Sequence, residues 1–235
     1  MKKVKVTPTF KKIFITGCGR GIGLELVRQL LEKKSDSIEK IFASVRNESE
    51  ELNKVHQKFP SKLHIVKLDI TKAESVKECF EEIKKQTEFL NLIINNSGVL
   101  PKGGGSASEV KSEDMLHAFN TNVVGTMLVT NTFLPLFPEH PKPFVVNIST
   151  VMSSISGNTG GTCTAYRVSK TALNMLTKNY SVELREKASF VLETLFWLME
   201  ANSLIINLFC KGQCIQDGLR LTWVEREHLS QRKRE

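Results

Sequence analysis

The chain is predicted to form an α/β fold on a doubly wound parallel sheet, and three observations carry that reading. Short β-rich apolar runs alternate with longer stretches of helical periodicity. The first of those runs ends directly in a cluster of glycines. At 235 residues the chain is long enough to bury one sizeable core and too short for two comfortable domains.

Residues 12–16 (KIFIT) form the first strand. Behind it Ile22, Leu26, Val27, Leu30 and Leu31 recur at helical spacing. The second strand is IFASV, within residues 38–45, and the third is LHIVKL at 63–68, with a polar helical stretch from near Asn47 between them. Residues 73–89 read as helix, with Val76, Phe80 and Ile83 on one face. LIIN at 92–95 is the fourth strand and FVVNI at 144–148 the fifth, and long helices are expected over 112–134 and 164–185. Right-handed crossovers wind this order into a Rossmann-like sheet covered on both faces, with ligands at the C-terminal ends of its strands. The loop PKGGGSAS at 101–108 lies beyond the fourth strand on that edge and reads as flexible.

Composition excludes several functions. Hydrophobic residues make up 40% and charged residues 25%, the balance of an ordinary globular protein. Residues 1–11 form a basic extension without the apolar run of a secretory signal. The longest apolar candidate, 191–210, is broken by Glu193, Glu200, Asn202 and Asn207, so a soluble, cytoplasmic protein with no membrane partner is expected. Five cysteines and five histidines show neither a disulfide framework nor metal-ligand spacing, and no metal is expected. The formal charge of +8 is dispersed, and the few aromatics (7%) do not interleave with it, so no nucleic-acid partner is expected. Part of that charge suits a phosphorylated cofactor.

Thr16, Gly17, Gly19, Arg20, Gly21, Ile22 and Gly23 span the turn from the first strand into the first helix. A turn without Cβ atoms lets the backbone approach a pyrophosphate, and the helix N-terminus offers it free N–H groups. Any sharp strand-to-helix turn recruits glycine, but behind the first strand of a βαβ unit the pattern reads as dinucleotide binding. The second strand ends in Arg46 and Asn47 with no carboxylate before Glu48, where an NAD site usually carries one. Arg46 and Arg20 together suit a 2′-phosphate, hence NADP(H), although either alone could be merely solvated.

Tyr166 and Lys170 lie four apart in AYRVSKTALNML and share a helix face. The lysine ammonium is expected to draw the phenol pKa downward, so that Tyr166 can protonate a substrate oxygen as hydride arrives. TGCGRGIG, LDI at 68–70, NNSG at 95–98, NVVGT from Asn122 and Tyr166-x-x-x-Lys170 stand in the order of the short-chain dehydrogenase/reductase family, which the chain resembles over about three quarters of its length. SGNTGGTCTAYRVSKTALN further resembles the subgroup of bacterial C-factor and the sniffer-type carbonyl reductases, which reduce carbonyls with NADPH. The resemblance implies adenine contacts from Asp69 and Ile70 and support of the cofactor by Asn95, Asn96 and Gly98. It further implies a ribose contact from Lys170, and a helix kink at Asn122 carrying a relay water. Read from the residues alone, Asp69 is a strand-end turn residue and Asn122 a polar cap on a kink. Where the family has a serine polarising the carbonyl, the matching slot is Thr150, followed in order by Ser149 and Ser153.

The resemblance ends near Arg185. All seven prolines lie at or before Pro143, so the Pro-Gly loop that the family folds over the nicotinamide is absent. A Rossmann-like catalytic domain is therefore expected over 12–185, followed by a divergent segment, 186–235, and a sheet lacking the family's last strands. An abrupt change of character near Lys187 fits a shifted frame, a retained intron or an alternative final exon. The function expected is an NADPH-dependent carbonyl reductase of a small aldehyde, ketone or quinone, working as a homodimer through the two long helices. The alternative is a chain that binds NADP(H) or pairs with other subunits without turnover.

Overall fold

A computed structural model of the chain describes residues 10–33, 37–102, 105–194 and 219–221. Most of the basic extension, part of the glycine loop and most of the divergent segment lie outside the described residues.

The strands are β1 (Lys12–Ile15), β2 (Lys40–Val45), β3 (Leu63–Lys67), β4 (Leu92–Asn95), β5 (Phe144–Ser149), β6 (Ser189–Thr194) and β7 (Leu219–Leu221). They pair in parallel in the order β3-β2-β1-β4-β5-β6-β7, a Rossmann-like sheet. The helices are α1 (Gly21–Lys33), α2 (Glu50–Lys58), α3 (Ala73–Lys84), α4 (Ser112–Phe119), α5 (Thr126–Phe133) and α6 (Thr164–Glu183). Among the described residues no helix is long and apolar enough to cross a membrane.

Successive side chains leave a strand on opposite faces, so each central strand feeds two cores. Ile13, Ile15, Ile41 and Ile94 pack with Leu26, Val27 and Leu30 of α1. Phe14, Phe42 and Ile93 pack on the other face with Phe80 of α3 and Phe133 of α5. Phe14 stacks on Phe133 at 4.6 Å between centroids, and Phe80 meets the same ring edge-on. Burial of both faces is why these strands read as unbroken apolar runs rather than alternating ones. Each such side chain contributes about 1.5–3 kcal/mol on full burial.

Two elements depart from the sequence expectation. The helix over 112–134 is interrupted by a π turn, Asn120–Gly125, between α4 and α5. The sheet does not stop at β5: Ser189–Thr194 lies in register beside it, and Leu219–Leu221 extends the edge. The expectation that the last strands are lacking is corrected at this edge. SFVLET carries no turn punctuation, but Phe and Val favour strand, and the open edge of β5 supplies the pairing partner and its register.

The strand order reverses between β1 and β4. The loops after these two strands diverge to opposite faces, leaving a crevice at their C-terminal ends.

Candidate active site

At that crevice the loops after β1 and β4 are tied together. Thr16 Oγ1 accepts the N–H groups of Asn96 and Ser97, each at 3.0 Å, and Asn96 Nδ2 donates to the carbonyls of Thr16 and Gly17 at 2.9 and 3.0 Å. Gly17 has φ +72, and a Cβ there would fall 2.7 Å from Ser97 Oγ, so glycine is required on both counts. The turn leads into the N-terminus of α1, whose first turn holds no acid to compete for an anion. No atom lies within 4 Å of the Cβ position at Gly21, and half-buried Gly19 is held from behind by Ser49 Oγ, which donates to its carbonyl at 2.7 Å. This cradle fits a dinucleotide pyrophosphate.

Arg20 and Arg46 are exposed, and their side chains make no ion pair or hydrogen bond among the described residues. Ile22 is also exposed, at the first turn of α1. Asp69 caps its own turn: one carboxylate oxygen accepts from Thr71 N at 3.0 Å and Thr71 Oγ1 at 2.7 Å. The Thr71 hydroxyl, more than nearby Lys72 and Arg46, holds its carboxyl below the usual range. Ile70 is buried against the π turn, where a Cβ on Gly125 would lie 2.8 Å from its Cγ1.

Asn95 faces inward. Its Nδ2 donates to Asn147 Oδ1 at 2.8 Å and Thr130 Oγ1 at 3.2 Å, and Asn147 Nδ2 donates to Thr177 Oγ1 at 2.8 Å. This brace ties α5, β4, β5 and α6 together through the core.

Tyr166 and Lys170 sit one turn apart on α6, with Nζ 5.9 Å from the phenol centroid. The chain enters α6 through Cys163 in the left-handed region, φ 55, a conformation costing about 1–2 kcal/mol in a non-glycine residue. Tyr166 Oη has no hydrogen-bond partner among the described residues. Burial raises its pKa, and the expected lowering by Lys170 is not expressed in the free chain. The physical reason is distance together with the ammonium's own partner: Lys170 Nζ donates to Ile148 O at 2.8 Å. Burial without a carboxylate pushes the lysine itself down to about 8.

Asn122 lies in the π turn and is fully buried. Its Oδ1 accepts from Val99 N at 2.8 Å, and its Nδ2 donates to Val99 O at 3.0 Å and Ser169 Oγ at 2.9 Å. A Cβ on Gly98 would stand 3.1 Å from Asn122 Oδ1 and 3.5 Å from Lys170 Nζ, so glycine brings these groups together. Insertion of one residue per turn opens the helix at the position that meets the loop after β4.

Three hydroxyls cluster past β5. Ser149 Oγ donates to Asn174 Oδ1 at 2.7 Å, and Ser153 Oγ donates to Thr150 O at 2.6 Å while accepting from Asn174 Nδ2 at 2.8 Å. Thr150 Oγ1 accepts from Met152 N at 3.2 Å. Beside Tyr166, Leu100, Pro101, Val110 and Cys163 line an open cleft. Among the described residues there is no group of three or more His, Cys, Asp or Glu side chains that could hold a metal ion.

Ser169, Asn174, Asn147 and Thr177 were not singled out from sequence. The signal was present on α6: Tyr166, Lys170, Asn174 and Thr177 recur on one helix face, a polar stripe where a sheet-facing helix should be apolar.

A sequence model of the short chain dehydrogenase family matches residues 11–191. The chain belongs to that family. An uncharacterised oxidoreductase of Schizosaccharomyces pombe is 31% identical over 192 residues, which cover 80% of this chain and 73% of the relative. Among solved structures, an NADPH-bound carbonyl reductase from chicken fatty liver superposes with a TM-score of 0.74 at 30% identity, over 81% of each chain. The carbonyl reductase Sniffer of D. melanogaster gives 0.75 at 31% identity, over 80% of this chain and 81% of its own.

Proposed function

We propose that the chain is an NADPH-dependent carbonyl reductase acting on a small aldehyde, ketone or quinone. The observation that carries this reading is the Tyr166 hydroxyl, left without a partner above a cleft and one helical turn from the buried Lys170 ammonium. NADPH, when bound, supplies hydride to the carbonyl carbon. The cradle of Gly17, Gly19, Gly21, Ile22 and Gly23 holds its pyrophosphate, with Arg20 and Arg46 at the 2′-phosphate. Asp69 and Ile70 border the adenine, and Thr16, Asn95, Asn96 and Gly98 fix the crevice. The likeness to an NADPH-bound carbonyl reductase supports the same choice of cofactor.

Tyr166 Oη passes its proton to the carbonyl oxygen, while Thr150 Oγ1 donates a hydrogen bond to that oxygen. The raised phenol pKa keeps the proton in place until substrate arrives. The Lys170 ammonium stabilises the phenolate left behind and holds the nicotinamide ribose. The Asn122 carboxamide is committed to Val99 and Ser169 and its main-chain carbonyl accepts from Thr126 Oγ1 at 3.1 Å, so a relay water would take that carbonyl's second lone pair. Exposed apolar side chains on α4 and α6 support a homodimer.

The test measures NADPH and NADH binding, and NAD(P)H oxidation against a carbonyl panel, for wild type and Tyr166→Phe. Expected are preference for NADPH and a loss of at least ~100-fold in kcat for the variant, with NADPH affinity retained. Binding without turnover in wild type would point to the non-catalytic isoform. Absence of NADPH binding would overturn the reading.

A further inference from the structure

We propose that Asn174 is a positioning residue that selects Thr150, from three neighbouring hydroxyls, as the one that polarises the substrate carbonyl. The inference rests on the reductase reading above and follows from counting hydrogens. A serine or threonine hydroxyl carries a single proton. That of Ser149 goes to Asn174 Oδ1 at 2.7 Å; its 3.4 Å approach to Ser153 Oγ is the poorer option. That of Ser153 goes to the carbonyl of Thr150 at 2.6 Å. Thr150 Oγ1 serves only as acceptor, from Met152 N, and its proton has no partner among the described residues. Thr150 alone has a hydrogen bond left to give.

Asn174 enforces this division because one carboxamide meets both serines, accepting from Ser149 and donating to Ser153 at 2.8 Å. The donated N–H occupies a lone pair of Ser153 Oγ and turns its proton toward Thr150 O, which pins the threonine backbone. Asn174 stands one turn beyond Lys170 and two beyond Tyr166 on α6. The neighbouring Thr171 Oγ1 lies 2.9 Å from both Ser153 O and Arg167 O and donates its proton between them, and Arg167 reaches Met152 O at 3.2 Å. The helix that carries the proton donor thereby also fixes the hydroxyl that must act in concert with it. Positioning of this kind bears on the reaction rate rather than on cofactor affinity.

The experiment is a double-mutant cycle of Asn174→Ala and Thr150→Val, reading kcat, KM, NADPH affinity and thermal midpoint. Asn174→Ala should lower kcat by about tenfold or more, with NADPH affinity within about twofold of wild type. In the Thr150→Val background the same change should have almost no further effect on kcat, because the group it positions is gone. Should Asn174→Ala not fold, Asn174→Asp keeps the shape and the acceptor for Ser149 but removes the donor to Ser153, and it should show the same non-additivity. Losses that multiply across the cycle, or that follow the thermal midpoint alone, overturn the proposal while leaving the reductase reading intact. A fully active Thr150→Val overturns the proposal alone, whereas a wild-type protein that turns over no carbonyl overturns the reading beneath it and the proposal with it.

Discussion

At the scale of single residues, Lys170 carries a charge that costs the fold stability. Its ammonium is buried with one carbonyl partner and no carboxylate, which brings its pKa from 10.5 to about 8. The unfolded chain therefore binds the proton more tightly than the folded one between those values. Stability attributable to this group must rise as pH climbs from about 8 to 10.5, and the penalty is fully present below 8. At about 1.4 kcal/mol per pH unit the penalty is on the order of 3 kcal/mol, against about 1 kcal/mol for the bond to Ile148 O. Lys170→Met should accordingly be more stable than wild type at pH 7 by about 2 kcal/mol, with catalysis lost and the gain shrinking toward pH 10. Denaturant melts of both proteins across that range measure it. The buried thiols of Cys18 and Cys79 also weaken the fold at high pH, but they are common to both and cancel in the difference. A gain that is independent of pH would show that burial of the charge is not the cause. The Tyr–Lys pair was legible in sequence because a four-residue spacing fixes a shared helix face. The sign of the Tyr166 shift was not, because it depends on how deeply the phenol is buried and where Nζ finds its acceptor. Asn174 and Ser169 escaped notice for a related reason: asparagine and serine on a helix read as surface until the sheet beneath them is known.

At the scale of elements, the glycine turn separates roles that its sequence pattern merges. A Cβ on Gly23 would lie 2.3 Å from Gly17 O and 2.6 Å from Asn96 Nδ2, inside the lock that joins the loops after β1 and β4. Gly19 is different: a Cβ there meets Val45 Cγ1 at 3.5 Å and Ser49 Cβ at 3.6 Å, ordinary contact. Gly23→Ala should therefore destabilise the fold by about 1–3 kcal/mol and abolish NADPH binding, since the lock must open to admit the methyl group. Gly19→Ala should melt close to wild type yet bind NADPH at least ~10-fold more weakly, because the backbone can no longer approach the pyrophosphate. Calorimetry and cofactor titration of the two variants distinguish the cases; equal behaviour would remove the division of labour. The π turn belongs to this scale too. Hydrophobic periodicity over 112–134 marks one helix, and an inserted residue per turn leaves almost no trace in so short a pattern. What placed the kink at Asn122 was the family resemblance, and the backbone at Asn120–Gly125 agrees with it. β6 and β7 were missed because pairing with a strand distant in sequence, rather than local punctuation, makes them strands.

At the scale of the whole molecule, α6 and its neighbour α4 present apolar side chains to the described surface. Val168, Met175 and Val182 recur every seventh residue along α6 and are 44%, 62% and 60% exposed. Leu116 and Phe119 on the neighbouring α4 add to them at 71% and 42%. Large apolar side chains scattered singly over a surface are ordinary, but a stripe along a twenty-residue helix beside a second apolar helix face is the form of a buried contact. A second copy related by a twofold axis presents the same stripe in return, so one patch serves both sides of an isologous interface. The opposite face of α6 holds Tyr166, Lys170 and Asn174 against the sheet, so subunit pairing would clamp that helix from behind. Met175→Asp with Val182→Asp should convert a dimer into a monomer in sedimentation velocity and lower the thermal midpoint. Because neither side chain belongs to the polar stripe that meets β5, NADPH binding should persist at high protein concentration. A wild-type chain that sediments as a monomer at tens of micromolar would mean that this stripe pairs with something other than its own copy.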